Sequence, residues 1–225
     1  MKVAQLSLNE LRALLVGPGL RVKAGPFNLS IRTRLPSLIR QLHSLYSRYS
    51  LVEEHEIVEF HVQVIPRRSV RRPFARLIQF EVDGRCPFPP VPLEQALATL
   101  EWGVNLVIAV RINHFLLFHS AAVERNGHVL LLPAWPGSGK TTLSAMLMHH
   151  GYRLFSDEFG LMEPQSGEFY PLPRLLLATN AFNYEVLGKT AFNAVTSLVR
   201  GCECRKLVYS DFDEALAVLN ALTDG

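Results

Sequence analysis

The 225-residue chain has three cysteines, Cys86, Cys202 and Cys204. That is too few for a disulfide framework and suits a reducing compartment. Glycine and proline contribute 14 residues each, which excludes collagen-like and low-complexity classes. The formal charge of +3 is too small to argue for a nucleic-acid partner. No uninterrupted apolar run approaches the ~18 residues of a membrane span; the uncharged stretch 102–110 is interrupted by Asn105 and closed by Arg111. The start, Met1-Lys2-Val3-Ala4-Gln5, lacks the apolar stretch and cleavage site of a signal peptide. These absences predict a soluble cytoplasmic globular protein without a membrane or nucleic-acid partner. The 48% hydrophobic content is ample for a core.

Two regions read differently. Residues 1–100 read as a smaller α+β region and 101–225 as an α/β core in which strands and helices alternate. Ser7-Leu8-Asn9-Glu10 is a capping box ahead of Leu11, Leu14 and Leu15, so a helix is expected there. Alternation predicts strands over 27–34, 56–65 and 75–82, and Leu38, Ile39, Leu42 and Leu45 predict an amphipathic helix. Asp83-Gly84 marks a turn. Residues 93–110 read as a long, largely buried helix. Strands over 116–124 and 128–132 are expected to form a hairpin around Asn126-Gly127.

The chemistry concentrates after that hairpin. The apolar run Val129-Leu130-Leu131-Leu132 reads as a buried strand and leads into Pro133-Ala134-Trp135-Pro136-Gly137-Ser138-Gly139-Lys140-Thr141-Thr142, and a helix is expected over 141–150. Strand, glycine loop, then Gly-Lys-Thr at a helix start is a phosphate-binding loop. Pro136, Gly137, Ser138, Gly139, Lys140, Thr141 and Thr142 would surround the nucleotide phosphates. The two glycines let backbone amides turn inward, and the helix N-terminus adds partial positive charge. Lys140 reaches β- and γ-phosphates and the Thr141 hydroxyl suits Mg²⁺. The first glycine of the usual pattern is Ala134 here.

A helix end at Gly151 and a short strand over 152–156 then deliver Asp157-Glu158, 17 positions after Lys140. Such carboxylates can hold Mg²⁺ or take the proton from an attacking hydroxyl. Alone, the pair also fits an acidic turn after a strand.

His119-Ser120-Ala121-Ala122-Val123, the loop 136–142 and Gly151-Tyr152-Arg153-Leu154-Phe155-Ser156-Asp157-Glu158 together resemble the core of HPr kinase/phosphorylase. The chain is similar in particular to the HPr kinase-related kinase A group, nearly throughout. The further matches are Val82-Asp83-Gly84-Arg85, Leu100-Glu101-Trp102-Gly103 and Tyr209-Ser210-Asp211. Ala134 is ordinary in that group. The resemblance implies a phosphoenolpyruvate carboxykinase-like P-loop core with a mixed sheet, and a homo-oligomer. It implies an ATP- and Mg²⁺-dependent kinase phosphorylating a serine hydroxyl of a protein or peptide, with free serine as the other acceptor. It makes Asp157 the general base, Lys140 and His119 catalytic partners, and Glu158 an acidic neighbour of the metal beside Thr141. On the residues alone, His119 reads as a strand-end histidine.

The group continues beyond Pro171-Leu172-Pro173-Arg174 with strands carrying a lysine and an arginine. Here the chain passes straight to 175–183, similar to the group's late helical segment. Bottom-up, only short strands over 160–163, 168–172 and near 207–209 follow Asp157, and Arg174 and Arg200 are the further cations. A second function stays open on that ground: a nucleotide-binding regulatory or scaffold protein without phosphoryl transfer.

Remaining features read as structural. Arg67-Arg68-Ser69-Val70-Arg71-Arg72 reads as a solvated loop, Cys202 and Cys204 as a buried thiol pair, and His149-His150 as cations in a last helical turn. Ser210-Asp211 reads as the cap of a helix over 215–222.

Overall fold

The computed structural model describes residues 1–68, 74–112, 114–135, 137–157, 159–172, 193, 197–198, 200–202, 207 and 211–224. The chain is mixed α/β and divides into two compact units, Met1–Ile108 and Ala109–Gly225.

In the first unit the capping box forms as expected. Ser7 Oγ accepts from the Glu10 amide, and Glu10 accepts in return from the Ser7 amide at 2.8 Å. Helix α1 (Leu8–Val16) starts there and buries Leu11 and Leu15. Strands β1 (Leu20–Ala24), β2 (Phe27–Thr33), β3 (Phe60–Arg67), β4 (Leu77–Val82) and β5 (Val91–Pro92) form one sheet in that order. Only β2 and β3 pair in parallel within it, and α2 (Pro36–Leu45) makes their crossover, burying Leu38, Ile39 and Leu42.

Two expectations change here. The strand read over 56–65 begins only at Phe60. The residues before it are held by β1: Lys23 pairs with the Glu56 carboxylate at 2.5 Å, and Arg21 donates to the carbonyls of Glu54 and Glu56. β1 itself, with Arg21 and Lys23 between apolar residues, has no counterpart among the strands read from the sequence. Its charges are tolerated because these acceptors meet them.

A short 3₁₀ turn (Leu93–Gln95) leads into α3 (Ala96–Arg111). The expectation that no segment is long and apolar enough to span a membrane is corrected. The 19 residues Leu93–Arg111 pass by length and composition, with half of the apolar window buried inside the structure. A core helix of a globular protein meets the same criterion.

In the second unit, β6 (Leu116–His119) pairs with β10 (Phe159–Met162), which also pairs with β11 (Phe169–Tyr170). A separate sheet has β7 (Ala121–Arg125) between β8 (His128–Leu132) and β9 (Arg153–Ser156). The single strand read over 116–124 is thus two strands. The chain changes sheets at Ser120, where the Ser120 amide bonds the Phe118 carbonyl. Asn126 and Gly127 both take positive φ, 53° and 81°, as a two-residue hairpin turn requires. β8 is half-buried, not fully buried as its apolar run suggested. A mixed sheet was expected in this unit; among the described residues the parallel pair that makes one lies in the first unit. The described strand pairs here are antiparallel, because β7 separates the two strands that run alike.

Helix α4 (Lys140–His149) connects β8 to β9. Its Leu143 and Leu147 join Val123, Tyr152 and Leu219 in one apolar cluster. Leu219 comes from α5 (Phe212–Thr223), capped by Asp211 accepting from the Glu214 amide, as expected. Polar contacts fix the end of α5: Asn126 donates to the Thr223 carbonyl at 3.1 Å, Tyr152 to Asn220 at 3.0 Å, and Arg125 pairs with Asp224 at 3.0 Å. Cys202 is exposed, so it is not half of a buried thiol pair. Cys204 and the strand expected near 207–209 (beyond Leu207) lie outside the described residues.

A Cβ built on Gly103 of α3 would overlap the ring of Phe80, which is buried and packed on Phe88. Gly103→Ala is expected to destabilise the protein by about 2 kcal/mol, overpacking exceeding the gain in helix propensity. Urea unfolding checks this, and in a Phe80→Leu background the same substitution should cost far less.

Candidate active site

Strands β8 and β9 both run antiparallel to β7, so they run in the same direction and end at the same edge of the sheet. The phosphate-loop sequence follows the end of β8 and Asp157 follows the end of β9. His119 ends β6, opposite Phe159 in β10, one residue before β7 begins. One edge therefore gathers all three features, and the topology accounts for it.

In the loop, Gly137 and Gly139 have φ of 79° and 88°, a region that side chains rarely adopt. Among the described residues, chain neighbours aside, a Cβ at either would meet no atom within 4 Å. The requirement for glycine is thus conformational. The Ser138 amide bonds the Trp135 carbonyl at 3.2 Å, closing a turn, and the Trp135 ring is exposed. Gly139 caps α4 without any side-chain acceptor. The first amides of the helix therefore point outward, with no side chain satisfying them at the cap. Lys140, half-buried, folds back on the loop and donates to the Ala134 carbonyl at 2.5 Å.

Asp157 is 7% exposed. Thr141 donates to its Oδ2 at 3.0 Å and Ser144 to its Oδ1 at 3.3 Å. Burial pushes its carboxyl above the usual range, against the opposing pull of these hydroxyls and the Lys140 charge. His119 is pushed down, first by burial and then by the Lys140 ammonium. Its ring meets that of Phe159 edge-on at 6.4 Å.

Lys140, Thr141, Asp157 and His119 are thus brought to one edge. Gly137, Ser138, Gly139 and Thr142 lie exposed along the loop and the first turn of α4. Pro136 and Glu158 lie outside the described residues, as do Arg174 and residues 69–73 of the arginine-rich stretch. Arg200 is exposed, and His149 stands in the last turn of α4 as expected. Ser144 escaped the sequence reading. Its signal was helical spacing, three residues from Thr141 and four from Lys140, which puts it on the face that meets Asp157.

The donor set fits a hard cation. Among the described residues no group of three or more His, Cys, Asp or Glu could cage a metal. Magnesium needs no such cage, since it takes one or two protein oxygens and fills its octahedron with phosphate and water. Thr141 and the Asp157 carboxylate beside it are of that kind. No family model, curated protein or solved structure matches the chain.

The lowered His119 value has a consequence for stability. The unfolded chain takes up a proton at His119 near pH 6.5, before the folded chain does. Folding stability is therefore lost as pH falls below that value. His119→Gln should flatten the difference in unfolding free energy between pH 7 and 5. Parallel pH profiles for the two proteins would remove the burial argument.

Proposed function

We propose that this chain is an ATP- and Mg²⁺-dependent serine kinase of HPr kinase-like type. In this reading the second unit carries a phosphoenolpyruvate carboxykinase-like P-loop core, and the acceptor is a cytoplasmic protein or peptide. The observation that carries the reading is the pairing of Thr141 with Asp157 at 3.0 Å beside Lys140. It brings a metal-suited hydroxyl, a phosphate-suited cation and a buried carboxylate together within one helix and one strand.

The residues divide the work as follows. The amides of Gly137, Gly139 and the first turn of α4 bind the phosphate oxygens. The Lys140 ammonium leaves the Ala134 carbonyl for the γ-phosphate. Thr141 and Glu158 would hold magnesium, which supplies charge neutralisation across the β- and γ-phosphates when bound. Asp157 accepts the serine proton as the serine oxygen bonds to the γ-phosphorus and the bridging bond to ADP breaks. Its burial-raised affinity for a proton suits a base that must accept one near neutral pH. His119, whose protonated form is disfavoured by burial and by the Lys140 charge, stands at the same edge as a catalytic partner.

The second reading, a nucleotide-binding regulator without transfer, is favoured by one feature. Both Asp157 oxygens already accept from hydroxyls of α4, which suits a carboxylate that organises the nucleotide site and takes no proton.

Two substitutions separate these readings. Lys140→Ala should abolish Mg-ATP binding by calorimetry, and unchanged affinity would sink the site assignment. Asp157→Asn should keep nucleotide affinity while lowering transfer to serine peptides by about 10²–10⁴-fold, the usual worth of a general base. Tight binding with no transfer by the unsubstituted protein, across a panel of serine peptides and free serine, would establish the regulator.

A further inference from the structure

Ser144 is 1% exposed and lies one turn inside α4, on the side of the helix that meets Asp157. Its hydroxyl stands 3.3 Å from Asp157 Oδ1 and 2.6 Å from the Lys140 carbonyl. The second contact is the ordinary back-bond of a helical serine. The first is not, because it crosses from the helix to the residue after β9. Thr141 takes the opposite oxygen, Oδ2, so the two hydroxyls grip the carboxylate at both corners and fix its plane. They are not equivalent. Thr141 lies at the mouth of the loop, where its oxygen is wanted by a cation. Ser144 is enclosed, a turn further in, and its partners among the described residues are the helix carbonyl and the carboxylate.

The geometry points to Ser144 as a positioning residue that sets the orientation of the Asp157 carboxylate, independently of the nucleotide. The inference rests on the reading of Asp157 as the base that accepts the serine proton. A carboxylate held at one corner alone can swing about its Cβ–Cγ bond, and the base is then misaligned in part of the population. Misalignment of that kind lowers turnover and leaves ground-state binding of Mg-ATP intact. Since the Ser144 hydroxyl has one hydrogen and two acceptors, the proposal requires that this hydrogen be shared with Asp157. A hydrogen committed wholly to the Lys140 carbonyl would make Ser144 a packing residue.

Two experiments test this. The first needs no catalysis: urea unfolding of Ser144→Ala, Asp157→Ala and the double variant. Sharing predicts that the unfolding equilibrium constant of the double variant departs about fivefold from the product of the single effects. Additive effects overturn the proposal, whether or not the protein is a kinase. The second is kinetic. Ser144→Ala should lower kcat about tenfold, with KM for Mg-ATP unchanged within about twofold. Ser144→Cys, which keeps the volume but donates only weakly, should behave like Ser144→Ala. Full activity in Ser144→Cys would overturn the proposal by showing that shape alone matters. Coupling in the unfolding cycle with no transfer by the unsubstituted protein would leave the carboxylate positioned by Ser144 and remove the kinase reading instead.

Discussion

The direction of two strands is the constraint on which the candidate site depends. β8 and β9 flank β7 and oppose it, so both must end at the same edge. A loop after one and a carboxylate after the other then become neighbours without any long-range search. α4 spans the gap between them, and the cluster of Val123, Leu143, Leu147 and Tyr152 holds the helix on the sheet. Each such fully buried apolar side chain contributes about 1.5–3 kcal/mol. The aim of Thr141 and Ser144 at Asp157 thus follows from apolar packing on the adjoining face of the same helix.

The polar end of α5 supports this arrangement from behind. Asn126 owes its positive φ to the hairpin turn, and the same residue donates to the Thr223 carbonyl of α5 and to the Asp224 carboxylate. Tyr152, the residue before β9, places its ring in the apolar cluster and its hydroxyl on Asn220. One turn and one tyrosine therefore serve both the strand order and the docking of the last helix. A buried hydroxyl left without such a partner would cost about 1–3 kcal/mol.

Local chemistry was legible in the sequence where a few neighbouring residues decide the outcome. The Ser7–Glu10 capping box, the Asn126-Gly127 turn, the glycine loop and the Asp211 cap each depend on side chains within four positions, and each forms. Legibility failed where distant partners decide. The start of β3 is set by Arg21 and Lys23, more than thirty positions away along the chain. The break at Ser120 is set by β10 and β9 competing for adjacent residues. Neither competitor can be seen from the alternation of the strand itself. The candidate site divides the same way. Lys140 and Thr141 are announced by the loop that holds them. Ser144 becomes visible only once the carboxylate that it meets has been placed in space.

Electrostatics adds a last distinction among the gathered groups. Burial and the Lys140 charge act in the same direction on His119, both disfavouring its protonated form. On Asp157 they act against each other, burial favouring the neutral acid while Lys140 and the two hydroxyls favour the carboxylate. A ligand that draws Lys140 from the Ala134 carbonyl changes the balance at Asp157. Pairs of titratable groups whose surroundings treat them this differently are how one site divides acid and base roles at a single pH. Here the difference arises because burial favours the neutral form of both groups, while the Thr141 and Ser144 hydroxyls and the Lys140 charge oppose it at Asp157 alone.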